Sequence, residues 1–343
     1  MKIGIIGTGG IAKIHSQIIK LVDPSVRQYV YDKNLEIAKE FSEKYNCEYC
    51  ASIDELWKKT DSVIISTPNS THFGLVLEAV KNDKNILCEK PMSLDLSEAK
   101  KMLEVGKANN LICCNIGFNY RCLAVTRKIK QLVENNDLGE IIKVYISFKR
   151  SSAITRKKFT WRDGITEKFT SGALGDLGVH LIDMLHFIFN SKINLDSCKV
   201  KMKTNVSEKQ NNKVWVDDES FVSGRLENEV YFDMFTSKSS EPGSEGLIIE
   251  IIGNEKNFYY NSAEKNIFKL KSNLNWEEHE LTEEKMLPDP EREFFGWTQS
   301  FKEQASEWIN SIEGGKTPKL ADFGDGLNAQ TVLNALIDKS QNN

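Results

Sequence analysis

The 343-residue sequence has little of several features that would narrow its role at once. Positive charge is not in excess: 45 Lys and Arg stand against 49 Asp and Glu, a formal net charge of −4. A global nucleic-acid footprint needs a basic stripe or a strongly basic domain, and here the two signs are mixed along the chain. No run approaches the roughly 18 apolar residues that span a bilayer. The opening "MKIGIIGTGG" puts one lysine before a short apolar run that glycines end. It lacks the longer apolar stretch and small-residue cleavage site of a secretory signal. Low-complexity linkers and internal repeats are also missing. The seven cysteines are an odd number, scattered through apolar segments. Cys47 and Cys50 spell C-x-x-C, but on a short strand positions i and i+3 face opposite ways. No second cysteine pair or nearby histidine completes a zinc site. The expectation is a cytoplasmic protein with reduced structural thiols, no metal, no membrane and no nucleic-acid partner.

What is present is enough apolar material, 40% of residues, for two ordinary domains. Apolar, β-rich runs at 3–6, 26–31, 63–66, 85–88 and 111–117 alternate with helix-like segments at 11–21, 35–45, 71–81 and 96–109. A weak strand at 48–51 and a short helix near 53–58 fit between them. Continuous apolar strands alternating with helices predict a parallel sheet covered on both faces. After a helix near 125–135 the character changes: β-rich runs at 141–148, 197–203, 219–225, 229–235, 246–253 and 256–260 dominate. Short turns such as Glu227-Asn228 and Gly253-Asn254 favour antiparallel pairing. A helix at 174–189 interrupts them, and helices near 293–312 and 322–340 close the chain. The fold class expected is α/β: an N-terminal Rossmann dinucleotide-binding domain at 1–120, then an α+β C-terminal domain at 121–343 with a large, mainly antiparallel open sheet.

The dinucleotide reading comes from "GIIGTGGIAKIH". Gly7-x-Gly9-x-x-Ala12 fits a fingerprint whose glycines permit a tight turn and close backbone approach to a pyrophosphate. The helix that follows offers free N–H groups and a favourable dipole. Asp32, at the end of the second strand, is placed to accept hydrogen bonds from ribose hydroxyls. Its charge would repel a 2′-phosphate, which favours NAD, while Lys33 softens that preference and leaves NADP open. Gly7, Thr8, Gly9, Gly10, Ile11, Asp32 and Lys33 are therefore candidate cofactor contacts. Ser66, Thr67, Pro68 and Asn69 follow the next parallel strand at the ligand-binding edge of such sheets. His72 opens the helix beyond, and its plainer reading is a histidine packed near the cofactor. Glu89 and Lys90 end the strand after that. Glu89 is either a cofactor contact or a partner that restrains Lys90, and a cis Lys90–Pro91 bond is expected as an option open to X–Pro.

Asp176 and His180 are four apart and share a helix face, which Asp183 joins three residues later. A carboxylate beside an imidazole fixes its tautomer and stabilises the imidazolium. The plainer reading is a helix-start charge pair with a packed histidine. As a set, Gly7 to Ala12 with Asp32, "TPNSTH" at 67–72, "CEKP" at 88–91 and "SGALGDLGVHLIDML" at 171–185 resemble the Gfo/Idh/MocA oxidoreductases. This is the family of glucose–fructose oxidoreductase and inositol dehydrogenase, and the resemblance covers nearly the whole chain. It implies that Lys90, Asp176 and His180 converge on the substrate. His180 would be the general acid or base. Asp176 would orient it and bind a substrate hydroxyl, and Lys90 would stabilise charge on the reacting oxygen. The implied reaction is hydride transfer between a nicotinamide and a carbinol or carbonyl carbon. The substrate would be a sugar, a phosphorylated or nucleotide-linked sugar, or a polyol. The same build also serves non-catalytic dinucleotide or sugar sensors and glycosidases that use NAD transiently. Residues 149–168 hold seven Lys or Arg against two acids. Either this is a solvated loop, or Arg150, Arg156 or Arg162 holds an anionic substrate and Trp161 faces a sugar ring. Asn119 and Arg121 are further candidates to reach substrate or cofactor; an interdomain salt bridge is the alternative for Arg121. The β-rich second half suggests a homodimer or homotetramer through its sheet.

Overall fold

A computed structural model describes residues 1–109, 113–165, 170–264, 266–272, 275–281, 296–314 and 320–341. The beginnings of the strand expected at 111–117 and of the helix expected at 293–312 lie outside these residues. By its contacts the chain divides into two compact units: Met1–Asn119 with Phe301–Gln330, and Tyr120–Ser300 with Thr331–Asn343. Among the described residues, no helix is long and apolar enough to cross a membrane.

The first unit alternates as its periodicity predicts: β1 (Lys2–Ile6), α1 (Gly10–Val22), β2 (Arg27–Tyr31), α2 (Leu35–Tyr45), β3 (Glu48–Tyr49), α3 (Ile53–Lys59), β4 (Ser62–Ile65), α4 (His72–Lys81), β5 (Asn85–Cys88), α5 (Leu96–Ala108) and β6 (Cys114–Ile116). All six strands pair in parallel, in the order β3-β2-β1-β4-β5-β6. Every residue of β4 and the last four of β1 are buried, as a sheet covered on both faces requires. The order reverses between β1 and β4. Loops leaving these strands diverge there and open a crevice at the carboxyl edge. Helix starts are fixed by side-chain caps: Asn34 accepts from Glu36 and Ile37, Ser52 from Glu55, and Asp95 from Ser97 and Glu98. Each such cap is worth about 1 kcal/mol. The late segment of the unit covers the β6 edge: the Ala321 carbonyl accepts from Ile116 N–H at 2.9 Å, and Asn115 bridges to Asp322. Cys47 and Cys50 are free thiols that burial pushes up to about 11.

The second unit holds α6 (Ala124–Glu134), β7 (Ile141–Lys149), the short α7 (Ser152–Thr155), a π-helical turn at Leu174–Gly178 and α8 (Val179–Phe189). Strands follow: β8 (Ile193–Lys203), the small hairpin β9 (Glu208–Lys209) and β10 (Asn212–Lys213), β11 (Glu219–Leu226), β12 (Tyr231–Ser237), β13 (Gly246–Gly253), β14 (Asn257–Asn261), β15 (Ile267–Ser272) and β16 (Asn275–Glu280). The closing helices α9 (Trp297–Ile312) and α10 (Phe323–Gln341) contribute residues to both units. The large sheet runs β16-β15-β14-β13-β7-β12-β11-β8, antiparallel except for β7 with β12. Its register aligns Val222, Met234, Ile146, Ile249, Tyr260 and Phe268 in one buried row across six strands. α8 packs against α6, β7 and β8. Phe221, Tyr231, Ile252 and Trp276 remain exposed on strands of the same sheet.

Candidate active site

At the end of β1 the chain turns at Gly7, whose φ of +94° lies in the left-handed region. A Cβ there would also lie 3.0 Å from the Ser66 carbonyl oxygen, so glycine is demanded by conformation and by space. Gly9 caps α1 with extended backbone, and nothing lies within 4 Å of where its Cβ would stand. Gly10 opens the helix and Ile11 is half-buried. Asp32 Oδ2 accepts from the Thr8 N–H at 3.0 Å and the Thr8 hydroxyl at 2.8 Å, while Oδ1 accepts from Asn34 N–H at 3.0 Å. The carboxylate is thereby pinned against the glycine turn. Lys33 is exposed beside it. Open space at Gly9, the N-terminus of α1 just beyond the glycine turn and a fixed acid on the neighbouring strand suit a dinucleotide.

Lys90 lies just past the carboxyl end of β5, half-buried, and its bond to Pro91 is cis. Both of its neighbours are fixed by buried histidines. Glu89 Oε1 is 2.8 Å from His15 Nε2, the ring lies edge-on to Phe301, and a Cβ on Gly117 would come within 3.0 Å of the carboxylate. His72 stands between two carbonyls, with Nδ1 3.0 Å from Pro91 O and Nε2 3.0 Å from Thr67 O. Burial lowers its pKa, although both carbonyls favour the charged ring. The neutral ring donates to one of them. The Glu89 carboxylate is thus held by His15. His72 turns both ring nitrogens to the backbone, as expected of a packed helix-start histidine. Ser66, Thr67 and Pro68 are half-buried, with the Ser66 hydroxyl donating to Ile6 O at 3.0 Å. Asn69 and Asn119 are buried.

In the second unit Asp176 sits in the π-helical turn and His180 in the first turn of α8. π-Turns inside helices recur at functional sites. The turn packs closely at its glycines: a Cβ on Gly172 would collide with Asp217 Oδ1, and one on Gly175 with the Thr170 carbonyl. Asp217 Oδ2 accepts from the Leu174 N–H at 2.8 Å. The half-buried Asp176 carboxylate receives Lys238 Nζ at 3.0 Å. His180 is 5% exposed and stacks parallel on Tyr120, ring centroids 4.0 Å apart. Asp183, three residues after His180 on α8, is bound by Arg121, whose Nε and Nη2 donate at 2.7 and 2.6 Å. The pair is buried and Arg121 lies over the Phe187 ring. Both residues of this pair lie in the second unit, so it is not the interdomain bridge expected as the alternative for Arg121, and the guanidinium nitrogens Nε and Nη2 face a buried carboxylate.

The basic stretch is also partly committed, and 166–168 lie outside the described residues. Arg156 and Lys209 both bind Asp163 Oδ1, at 2.7 and 2.9 Å. Arg162 is half-buried and lies 4.0 Å over the Trp161 ring, which is exposed. Among the described residues no cluster of His, Cys, Asp or Glu could hold a metal ion. Sequence reasoning missed Lys238, Asp217, Tyr120 and the partner role of His15. Only His15 carried a signal, as the polar residue closing "GIAKIH" on a helix otherwise buried on that face.

Two family models match the chain: an oxidoreductase-family NAD-binding Rossmann fold over residues 1–118 and an oxidoreductase-family C-terminal alpha/beta domain over 130–343. The chain is 38% identical over 341 residues to the glucose-6-phosphate 3-dehydrogenase of Bacillus subtilis, covering 99% of this chain and 97% of that one. It is 29% identical over 196 residues to the myo-inositol 2-dehydrogenase of Thermotoga maritima, 56% of each chain. Levoglucosan dehydrogenase in complex with NADH and levoglucosan has the same fold, with a TM-score of 0.87 at 21% identity over 100% of this chain and 97% of that one.

Proposed function

The chain belongs to the Gfo/Idh/MocA oxidoreductase family and is an NAD(P)-dependent dehydrogenase acting on CH–OH groups, and from that premise we propose that it oxidises one hydroxyl of a sugar phosphate with Lys90, Asp176 and His180. A bound nicotinamide supplies the hydride acceptor. Gly7, Thr8, Gly9, Gly10 and Ile11 hold the pyrophosphate side of the dinucleotide, and Asp32 holds the adenosine ribose and disfavours a 2′-phosphate. Lys90 stabilises negative charge developing on the substrate oxygen. His180 accepts the hydroxyl proton, its ring plane set by Tyr120. Asp176 is the anion that favours the imidazolium so formed.

The observation that carries the reading is the fixing of Lys90. A solvated loop lysine needs no support, whereas Lys90 is bracketed by Glu89 on His15 and Pro91 on His72. Similarity over nearly the full length to a glucose-6-phosphate 3-dehydrogenase supports the phosphorylated sugar. The sheet face that exposes Phe221, Tyr231, Ile252 and Trp276 is the surface through which copies of the chain pair. Seven free thiols suit a reducing cytoplasm.

The test is a screen of glucose 6-phosphate, glucose, myo-inositol and levoglucosan with NAD+ and NADP+, read by reduced-nicotinamide absorbance. Turnover of glucose 6-phosphate with NAD+, lost in Lys90→Ala and His180→Ala, is expected. Activity unchanged in both variants would remove these residues from the mechanism.

A further inference from the structure

Lys238 is the residue after β12, 5% exposed, and its backbone is pinned on both sides. Its N–H donates to Asp218 O at 2.6 Å, and its carbonyl accepts from Ala153 N–H at 2.6 Å. The ammonium is aimed inward, donating to Asp176 Oδ2 at 3.0 Å and to Ser171 O at 3.1 Å. A buried ammonium is costly unless paired and hydrogen-bonded, and Asp176 and Ser171 meet both needs. The two contacts fall at the start and the end of one segment. Between them the Asp176 N–H donates to Gly172 O at 2.8 Å, closing the turn. Lys238 therefore clasps the loop that carries Asp176 at its carbonyl and at its carboxylate.

We propose that Lys238 is a positioning residue for the reaction: it holds Asp176 ionised and fixed in the π-helical turn four residues before His180, so that Asp176 serves as a stationary anion and not as a proton carrier. The inference rests on reading Asp176 as part of the catalytic site. Other charged groups face the same place. Asp217 and Asp218 precede β11, while Arg156, Arg162 and Asp163 come from the segment after α7 and Lys209 from β9. Burial pulls the Lys238 pKa below the usual lysine range, and Asp176 counters that by favouring the ammonium. A neutral amine would leave Asp176 without its cation, so the clasp works only in its charged form.

The test compares Lys238→Met, Asp176→Asn and the double variant with glucose 6-phosphate and NAD+. NADH binding, followed by fluorescence titration, reports separately on the dinucleotide site. Lys238→Met should keep NADH affinity but lose about tenfold to a hundredfold in kcat, the range for a displaced catalytic group. Removing the cation favours a protonated Asp176, so the acid limb of kcat/KM should move to higher pH. In the Asp176→Asn background the same substitution should change kcat by less than about threefold, since coupled residues are not additive. Equal losses in both backgrounds would overturn the proposal and leave Lys238 a structural residue. So would an unmoved acid limb with Asp176→Asn inactive. An Asp176→Asn enzyme with wild-type kcat would instead overturn the reading of Asp176. Should Lys238→Met fail to bind NADH, Lys238→Ala supplied with ethylamine replaces it: amine-dependent recovery of kcat supports the proposal, and its absence overturns it.

Discussion

Arg121→Met separates a structural ion pair from a substrate contact. The guanidinium meets Asp183 through two hydrogen bonds, and the side chains are 6% and 2% exposed. Removing the cation strands a carboxylate in the core, which costs about 3–5 kcal/mol. Methionine retains much of the packing on Phe187, so the loss is mainly electrostatic. Two neighbours tie the pair to chemistry. Tyr120 immediately precedes Arg121, His180 lies three residues before Asp183, and their rings stack at 4.0 Å. Loosening the pair should therefore displace the stack, and kcat should fall about tenfold or more, with KM for glucose 6-phosphate less affected. Urea unfolding followed by circular dichroism reads the stability, and steady-state kinetics read the rest. Arg121→Met with Asp183→Leu should recover most of the stability, because a well-packed apolar pair replaces a buried ion pair at little cost. An unchanged urea midpoint with KM raised tenfold and kcat intact would refute this reasoning and return Arg121 to the substrate.

Asp32→Ser removes the charge facing a 2′-phosphate and two acceptor contacts with Thr8. NAD+ over NADP+ discrimination in kcat/KM should narrow by about tenfold, the factor for one screened charge contact near 1.4 kcal/mol; an unchanged ratio would move cofactor choice elsewhere. Asp217 is pushed from 3.8 up to about 7 by burial, so the folded chain keeps a proton that the unfolded chain releases. That contribution is complete below about pH 4 and is lost as pH rises through about 7, at no more than roughly 1.4 kcal/mol per pH unit. Urea midpoints of Asp217→Asn should accordingly vary less across that window than those of the wild type, and equal slopes would contradict it. Phe221→Lys with Tyr231→Lys places charge on the exposed sheet face and should lower the assembly mass in light scattering, whereas an unchanged mass would exclude that face as the pairing surface.

The order of the first unit was legible because β1, β4 and β5 are mostly apolar runs between helices of 3.6 periodicity, and both patterns are local. The second sheet was harder to read. Its strands from 141 to 260 alternate well enough to be found. β16, with the sequence NWEEHE, is exposed along nearly its whole length and has no apolar face to announce it. The return of the chain to β6 was equally hidden, since Ala321 does its work through a backbone carbonyl that any residue could offer. The glycine turn, Asp32 and Lys90 could be found because conformation, charge and position at strand ends leave marks in sequence. Asp183 could not be assigned. Helical spacing showed which face it shares, but a face does not name a partner, and Arg121 lies 62 residues earlier.

The same limit bears on how such a site is held. Lys90 is steadied by His15, bound to the preceding residue across 74 positions, and by His72, bound to the following one across 19. Asp176 is steadied by Lys238, 62 positions away. In each case the proposed reactive group stands in a recognisable local motif, while the group that restrains it is remote in sequence. This follows from the chemistry. A loop or first-turn residue cannot fix its own side chain without spending the atoms the reaction needs, so the restraint must come from another element packed against it. Substitutions at His15, His72 and Lys238 should then impair turnover without touching a reacting atom. The basic residues at 149–162 are differently placed. Arg156 is bound to Asp163, whereas Arg162 lies partly exposed against an exposed tryptophan. Arg162→Ala should therefore leave the residues holding Lys90 and Asp176 undisturbed, and a raised KM for glucose 6-phosphate would bring Arg162 to the substrate.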